Sequence, residues 1–326
     1  MIEWNKYSGN EENWDTFIKK KSGGDFRQAY FWGNYLEEIG WNLRRVELIH
    51  NNERTTLIQY SYKKLWPVCA VYLNGLSEND IQFISSLIKE IEKEFCTYLI
   101  YFRFDSHDIS SQKKIDELKK NGFKKSIYSL RNNEHSIFNL NKSTDEVLKN
   151  AKQKWRYNYN KALKKNVYLE VLENIDPDEI YKLTLDLSKF KKIRNLYSLH
   201  ELIAYKKHLK ENFFIIRAKD KNFNIVGYYI CIMFNNKAYQ VFNAVNKEGN
   251  QLMAGYTILM YLHKSLKNIN IKELYLGELN KKRYPGNYQF KSGFNQKKVT
   301  VIGEYDYSKI KLIRIVFNLY LYLRNA

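Results

Sequence analysis

The chain has 326 residues, room for two compact domains, and its 44% hydrophobic and 16% aromatic content excludes a disordered tail. With 54 Lys and Arg against 35 Asp and Glu, the formal net charge is +19, a field that attracts nucleic acid, nucleotide-linked substrates or an anionic membrane surface. Cys69, Cys96 and Cys231 lie in apolar runs and read as reduced core residues, and the six scattered His lack any C-x-x-C, H-x-E or H-E-x-x-H spacing, which argues against a metal site.

In chain order, a helix is expected around 26–39, then strands at 43–50, 55–63 and 67–74. A helix at 80–94, a strand at 97–104 and a helix at 111–120 follow, the last stopping at Asn121-Gly122, with KKSIYSL after it as a strand. The second half is predicted to open with one long basic helix, 144–165, and a strand at 167–172. Helices at 177–190 and 199–210 lead to strands at 213–219, 225–234 and 238–245, a helix at 252–267, and strands at 273–279 and 299–307. The tail KIKLIRIVFNLYLYLRNA is a final helix, 309–324, apolar nearly all round with cations at its ends. Too short to span a bilayer, it reads as either a core-docked helix or an interfacial anchor giving peripheral membrane contact. No basic segment followed by an apolar run opens the sequence and no apolar stretch reaches roughly 18 residues, so the expected location is cytoplasmic, with the inner face of the membrane as the variant.

The order strand, strand, helix, strand occurs twice: TTLIQYSYK, PVCAVYLN, a helix and TYLIYFRF match IVGYYICIMF, AYQVFNAV, a helix and ELYLGEL. This predicts an α/β (α+β) protein made of two copies of one unit with mixed sheets, divided as 1–140 and 141–326, the second including both the basic helix and the C-terminal helix.

Helix 144–165 carries a capping box, Ser143 with Glu146, and Val147, Leu148, Ala151, Trp155, Tyr159 and Ala162 fall on one core-facing side. Its flanks hold two cation rows with no acid between them: Lys149, Lys152, Arg156 and Lys164, and Lys154, Lys161 and Lys165. Either this is a solvated face, or Lys152, Arg156 and Lys161 bind phosphate. Asp105 and Asp108 sit at a strand end, where they could accept a proton from an attacking amine or cap a loop. Arg194, between two helices, could grip a phosphate bidentately.

The stretch SIFNLNKSTDEVLKNAKQKWRYNYNKALKKNVYLEV resembles the central signature of the Fem family of peptidoglycan-bridge aminoacyltransferases, with Arg156, Tyr157, Asn158, Lys161 and Ala162 matching its basic-aromatic run. Gln28, Trp32, Gly40 and Trp41 resemble the family's N-terminal segment, LKKNGFKKS its "GF" step, and GNYQFKSGFNQKKVTVIGEYDY its "FK-x-x-F" motif and closing strand. Where some members carry a phosphate-contacting Lys after the N-terminal Trp, this chain has Tyr35 and Leu36. The resemblance implies two tandem acetyltransferase-like (GNAT) domains and transfer of an amino acid from aminoacyl-tRNA, as co-substrate and with no bound cofactor, to an amine of a nucleotide- or lipid-linked cell-envelope precursor.

It also implies that Lys291, in QFKSGF after the Pro285-Gly286 turn and between two strands, lies near the reacting ester; read from the residues alone it is a hairpin lysine. Arg283 and Tyr284 become candidate adenine- or phosphate-facing neighbours. Two other functions stand beside this one: an acyl-CoA-dependent N-acyltransferase acting on an amino sugar of surface polysaccharide, and a non-catalytic RNA- or membrane-binding protein. Against acyl-CoA, the place of a Q/R-x-x-G-x-G/A pyrophosphate loop reads EGNQLMAGYTIL, with Ala254 and the bulky Tyr256 at glycine positions.

Overall fold

In the first half the β-branched and aromatic runs become five long or medium strands and their helices. The computed structural model of the chain describes residues 2–21, 23–51, 53–96, 98–191, 197–294 and 296–325. β1 (Ile2–Lys6) and α1 (Glu11–Lys20) open it, a segment for which the sequence pattern predicted no element. After a 3-10 turn at Phe26–Gln28 come α2 (Tyr30–Glu38), β2 (Asn42–His50), β3 (Glu53–Leu65) and β4 (Val68–Asn74). α3 (Glu78–Ile81) and α4 (Ile84–Glu94) stand where one helix was expected. β5 (Leu99–Ile109), α5 (Gln112–Lys120) and the two-residue β6 (Lys124–Lys125) follow, so most of KKSIYSL is not strand.

The second half contains β7 (Glu134–Asn139), α6 (Thr144–Asn150), α7 (Gln153–Leu163), β8 (Tyr168–Leu172), α8 (Pro177–Lys191) and α9 (Leu199–Leu209). Then come β9 (Phe213–Lys219), β10 (Ile225–Phe234), β11 (Lys237–Val245), α10 (Lys247–Gln251), α11 (Ala254–Asn268) and β12 (Glu273–Glu278). α12 (Pro285–Gly293), β13 (Lys297–Tyr307) and α13 (Lys311–Asn325) end the chain.

Two compact units result, one of Met1–Asn133 with Thr300–Ala326 and one of Glu134–Val299. The division corrects the linear one at 140/141: the C-terminal helix belongs with the first unit. In that unit the sheet order is β1-β2-β3-β4-β5-β13; in the second it is β8-β9-β10-β11-β12-β7. Each unit pairs its fourth and fifth strands in parallel, β4 with β5 and β11 with β12, and each joins them through helices, because a parallel pair needs a crossover. Each is closed by an antiparallel sixth strand that the other stretch of sequence follows into: β7 comes after the first unit's strands yet completes the second sheet, and β13 comes after the second unit's strands yet completes the first. The two repeats have exchanged their closing strands.

Both cores form where helix stripes meet sheet faces. Ile84, Leu87, Ile88 and Ile91 of α4 recur at helical spacing and cover Ile58, Val71, Phe102 and Phe104. In the second unit Ile258, Leu259, Leu262 and Leu266 of α11 do the same over Phe214, Ile216, Val226 and Cys231, with Trp155 and Phe294 in the same core. Cys69 and Cys231 are buried as expected, but Cys96, just past the end of α4, is exposed.

Candidate active site

The basic segment is two helices. α6 starts on the predicted capping box, Ser143 Oγ accepting from Glu146 N and the Glu146 carboxylate from Ser143 N. At Ala151 and Lys152 the backbone turns extended, and Lys152 N donates to Gly293 O (2.8 Å) on the end of α12. Arg156 turns back and donates through Nη1 to the carbonyls of Ala151 and Lys149 (3.3 Å for the latter), which satisfies the end of α6. Its guanidinium is thus partly committed to the fold. The predicted core stripe holds: Val147, Ala151, Trp155 and Ala162 are buried. Trp155 lies against Phe294 (4.6 Å between centroids), Tyr256 (5.1 Å) and Phe290 (6.2 Å).

Among the described residues no side chain caps the N-terminus of α7, and its first turn has no acid. Lys152 and Lys154 stand exposed at that positive helix end, where the dipole repels them and favours an anion. Lys161 is exposed more than a turn further on.

Lys291 lies on α12, not in a hairpin, because Pro285 occupies the first helical position and Phe290 and Phe294 turn one side onto Trp155. Its side chain is buried, 4% exposed. Between Tyr275 and Glu278, β12 spends one residue more than β7, and Gly277 takes φ +76°, a glycine bulge. That bulge turns two carbonyls onto the ammonium, Leu276 O and Glu278 O (3.4 Å). Burial pushes the Lys291 amine down and the Glu278 carboxylate partly restores it, to about 8. The bulge lies just past the point where β11 and β12 part: they pair from Lys237/Glu273 only to Tyr239/Tyr275. The equivalent pair in the first unit, β4 and β5, stays joined from Val68/Leu99 to Asn74/Asp105. Sequence reasoning missed this bulge, although a lone glycine inside ELYLGEL is its ordinary signal.

Arg283 and Tyr284 are exposed at the opposite end of α12 from Lys291, with the guanidinium 5.4 Å from the tyrosine ring centre. Arg194 lies outside the described residues. Asp105 and Asp108 belong to the first unit. Asp105 accepts from Arg27 Nη1 (2.5 Å), whose other nitrogens grip Asp25 at 2.6 and 2.8 Å, all three side chains being buried. Burial raises the Asp105 carboxyl, but Arg27 and Arg131 pull it further down, below the ordinary carboxylate range. A carboxylate so held is a weak base, so the geometry assigns Asp105 to an ion-pair cluster and not to proton abstraction. Asp108 accepts from Gly24 N (3.1 Å) and caps that loop. The structure thus gathers Lys291, Lys152 and Arg156 in one unit and leaves the two aspartates in the other. Among the described residues no group of His, Cys, Asp and Glu is arranged to hold a metal ion.

Two mixed sheets of one strand order, each with a helical crossover between parallel strands four and five, define a tandem GNAT-like fold of mixed α/β class. More particularly the fold is of Fem type. The crystal structure of FemX matches with a TM-score of 0.80 over 96% of this chain and 100% of that one, at 14% identity. L-PGS from Bacillus licheniformis matches with a TM-score of 0.59 over 95% and 96%, at 13% identity. A tandem GNAT protein from the clavulanic acid biosynthesis pathway gives 0.56 over 94% and 98%, at 9% identity. No protein-family model and no curated protein sequence matches the chain.

Proposed function

We propose that the protein is an aminoacyltransferase that moves an amino acid from aminoacyl-tRNA to an amine of a cell-envelope precursor, with Lys291 as its catalytic residue. The observation that carries this reading is the placement of the Lys291 ammonium at the β12 bulge, where only the second unit's parallel strands part. Two of its N–H groups go to carbonyls, and in this reading the third serves an oxygen that gains charge during reaction. In the proposed step the acceptor amine attacks the ester carbonyl, a C–N bond forms, the C–O bond to the ribose breaks, and the amine's proton passes to the leaving ribose oxygen. An ammonium beside the carbonyl or the leaving oxygen stabilises both, and positioning supplies the rest without a covalent intermediate.

Lys152, Lys154 and the uncapped start of α7 supply an anion-favouring surface joined to α12 through Gly293. The phosphates of tRNA or of the precursor are suitable occupants. For acyl-CoA the fit is poorer: the loop before α11 is folded into α10, and Tyr256 in the first turn of α11 packs on Trp155 and Phe290 and accepts from Asn158 Nδ2 (2.8 Å).

The test offers purified protein charged tRNA or acetyl-CoA with a panel of amine acceptors. Transfer from charged tRNA is expected; transfer only from acetyl-CoA overturns the donor, and activity with neither favours a binding protein. Lys291→Ala should lower the rate by about two orders of magnitude, the size of a lost oxyanion contact. Near-normal turnover would remove Lys291 from the chemistry.

A further inference from the structure

α13 has two apolar faces, and among the described residues only one is covered. Phe317 and Leu321, with Ile313 beside them, pack on Ala70, Val68 and Tyr101 of the first unit's sheet, the Phe317 and Tyr101 rings stacked at 4.2 Å. The buried Asn318 locks that face, donating to Asp306 Oδ2 (2.7 Å) and accepting from Tyr128 N (3.0 Å). On the outer face Leu312, Ile315, Val316, Leu319, Tyr320 and Leu323 recur at helical spacing, between 43% and 68% exposed. A stripe this continuous is far more than the scattered leucines of an ordinary surface.

We propose that this outer face docks on an anionic lipid surface, with α13 lying in the plane of the headgroups. Charge selects the partner. The helix carries no acid; Lys311 and Arg324 are exposed at its two ends, and Lys124 and Lys125 are exposed beside it, Arg314 Nη2 donating to Lys125 O (2.6 Å). A second copy of the chain fits less well. Whether the two helices ran parallel or antiparallel, Lys311 and Arg324 would meet like cations. Fifteen residues rise about 22 Å, short of the roughly 30 Å of hydrocarbon, so the helix lies on the surface and does not cross it. Trp66, 84% exposed in the β3–β4 turn, adds an interfacial aromatic at the sheet end where α13 begins. There Leu99 N donates to Pro67 O (2.9 Å) and Ser308 Oγ to Ile100 O (2.8 Å).

The full chain is sedimented with vesicles of phosphatidylcholine alone and with vesicles in which about a third of the lipid is phosphatidylglycerol. Binding to the anionic vesicles that salt weakens is expected. Val316→Glu with Leu319→Glu, both exposed, should abolish it without moving the unfolding midpoint. Lys311→Glu with Arg324→Glu, which leaves the apolar face intact, should weaken anionic binding by at least about fivefold per cation. The proposal is overturned if the native chain binds neither vesicle, if it binds both alike, or if both variants bind as it does. A concentration-dependent dimer that the Val316→Glu, Leu319→Glu chain fails to form would give the face to a second copy and overturn it equally.

Discussion

Lys291 shows how far burial, partly offset by the Glu278 carboxylate, can tune one lysine. Its folded value of about 8 lies below the ordinary 10.5, so the ammonium persists below about pH 8 and is lost above it. Transfer that depends on the cation should therefore fall about tenfold per pH unit above about pH 8, and Lys291→Met should show no such limb. Stability moves the other way. Between about pH 8 and 10.5 the unfolded chain holds a proton that the folded lysine has released, so stability rises with pH across that window. Urea midpoints across the window should rise for the native chain and be flatter for Lys291→Met; parallel curves would refute the depressed value. At this scale the sequence was partly legible. The resemblance of QFKSGF made Lys291 a candidate, but nothing near Asp105 announced Arg27, 78 residues away, as the partner that holds its carboxylate ionised.

Among the elements, the split of the basic helix had no local signal. Neither Pro nor Gly stands at Ala151–Lys152; the break is stabilised by Gly293 O, which comes from a distant part of the chain. Helical spacing was still right for the buried stripe, since Val147, Ala151, Trp155 and Ala162 all reach the core on the broken helix. The break changes what the cations do. Arg156 closes the end of α6, so Arg156→Ala should lower stability by about 1–3 kcal/mol, as loss of a charged hydrogen bond does. Lys161→Ala, on an exposed position, should stay within about 0.5 kcal/mol. Chemical denaturation distinguishes them, and equal midpoints for the two variants would rule out the cap.

For the whole molecule, the repeat of strand, strand, helix, strand was legible because periodicity reports each element locally. The exchange of closing strands was not, because β7 and β13 carry no mark of which sheet they join. β13 supplies Glu304 and Asp306 to the buried Arg103, at 2.6 and 3.5 Å. Residues 1–140 alone would leave that guanidinium without either carboxylate and β5 with an open edge. That fragment should not fold. Val301 N donates to Asn133 O (2.9 Å), so a short Gly-Ser linker from Asn133 to Thr300 should restore a cooperative unit. Cooperative urea unfolding of residues 1–140 by themselves would contradict this reading.

Strand exchange also fixes a timetable. A ribosome makes the chain from its N-terminus at roughly 5–20 residues per second, so about 10–40 s pass between the emergence of β5 and that of β13. The unit begun first is finished last. The later unit's sheet can close as soon as β12 appears, because β7 is already waiting, and α12 follows at once to finish its core. Through that interval the nascent chain presents an uncompleted sheet edge, the kind of surface that pairs with other chains.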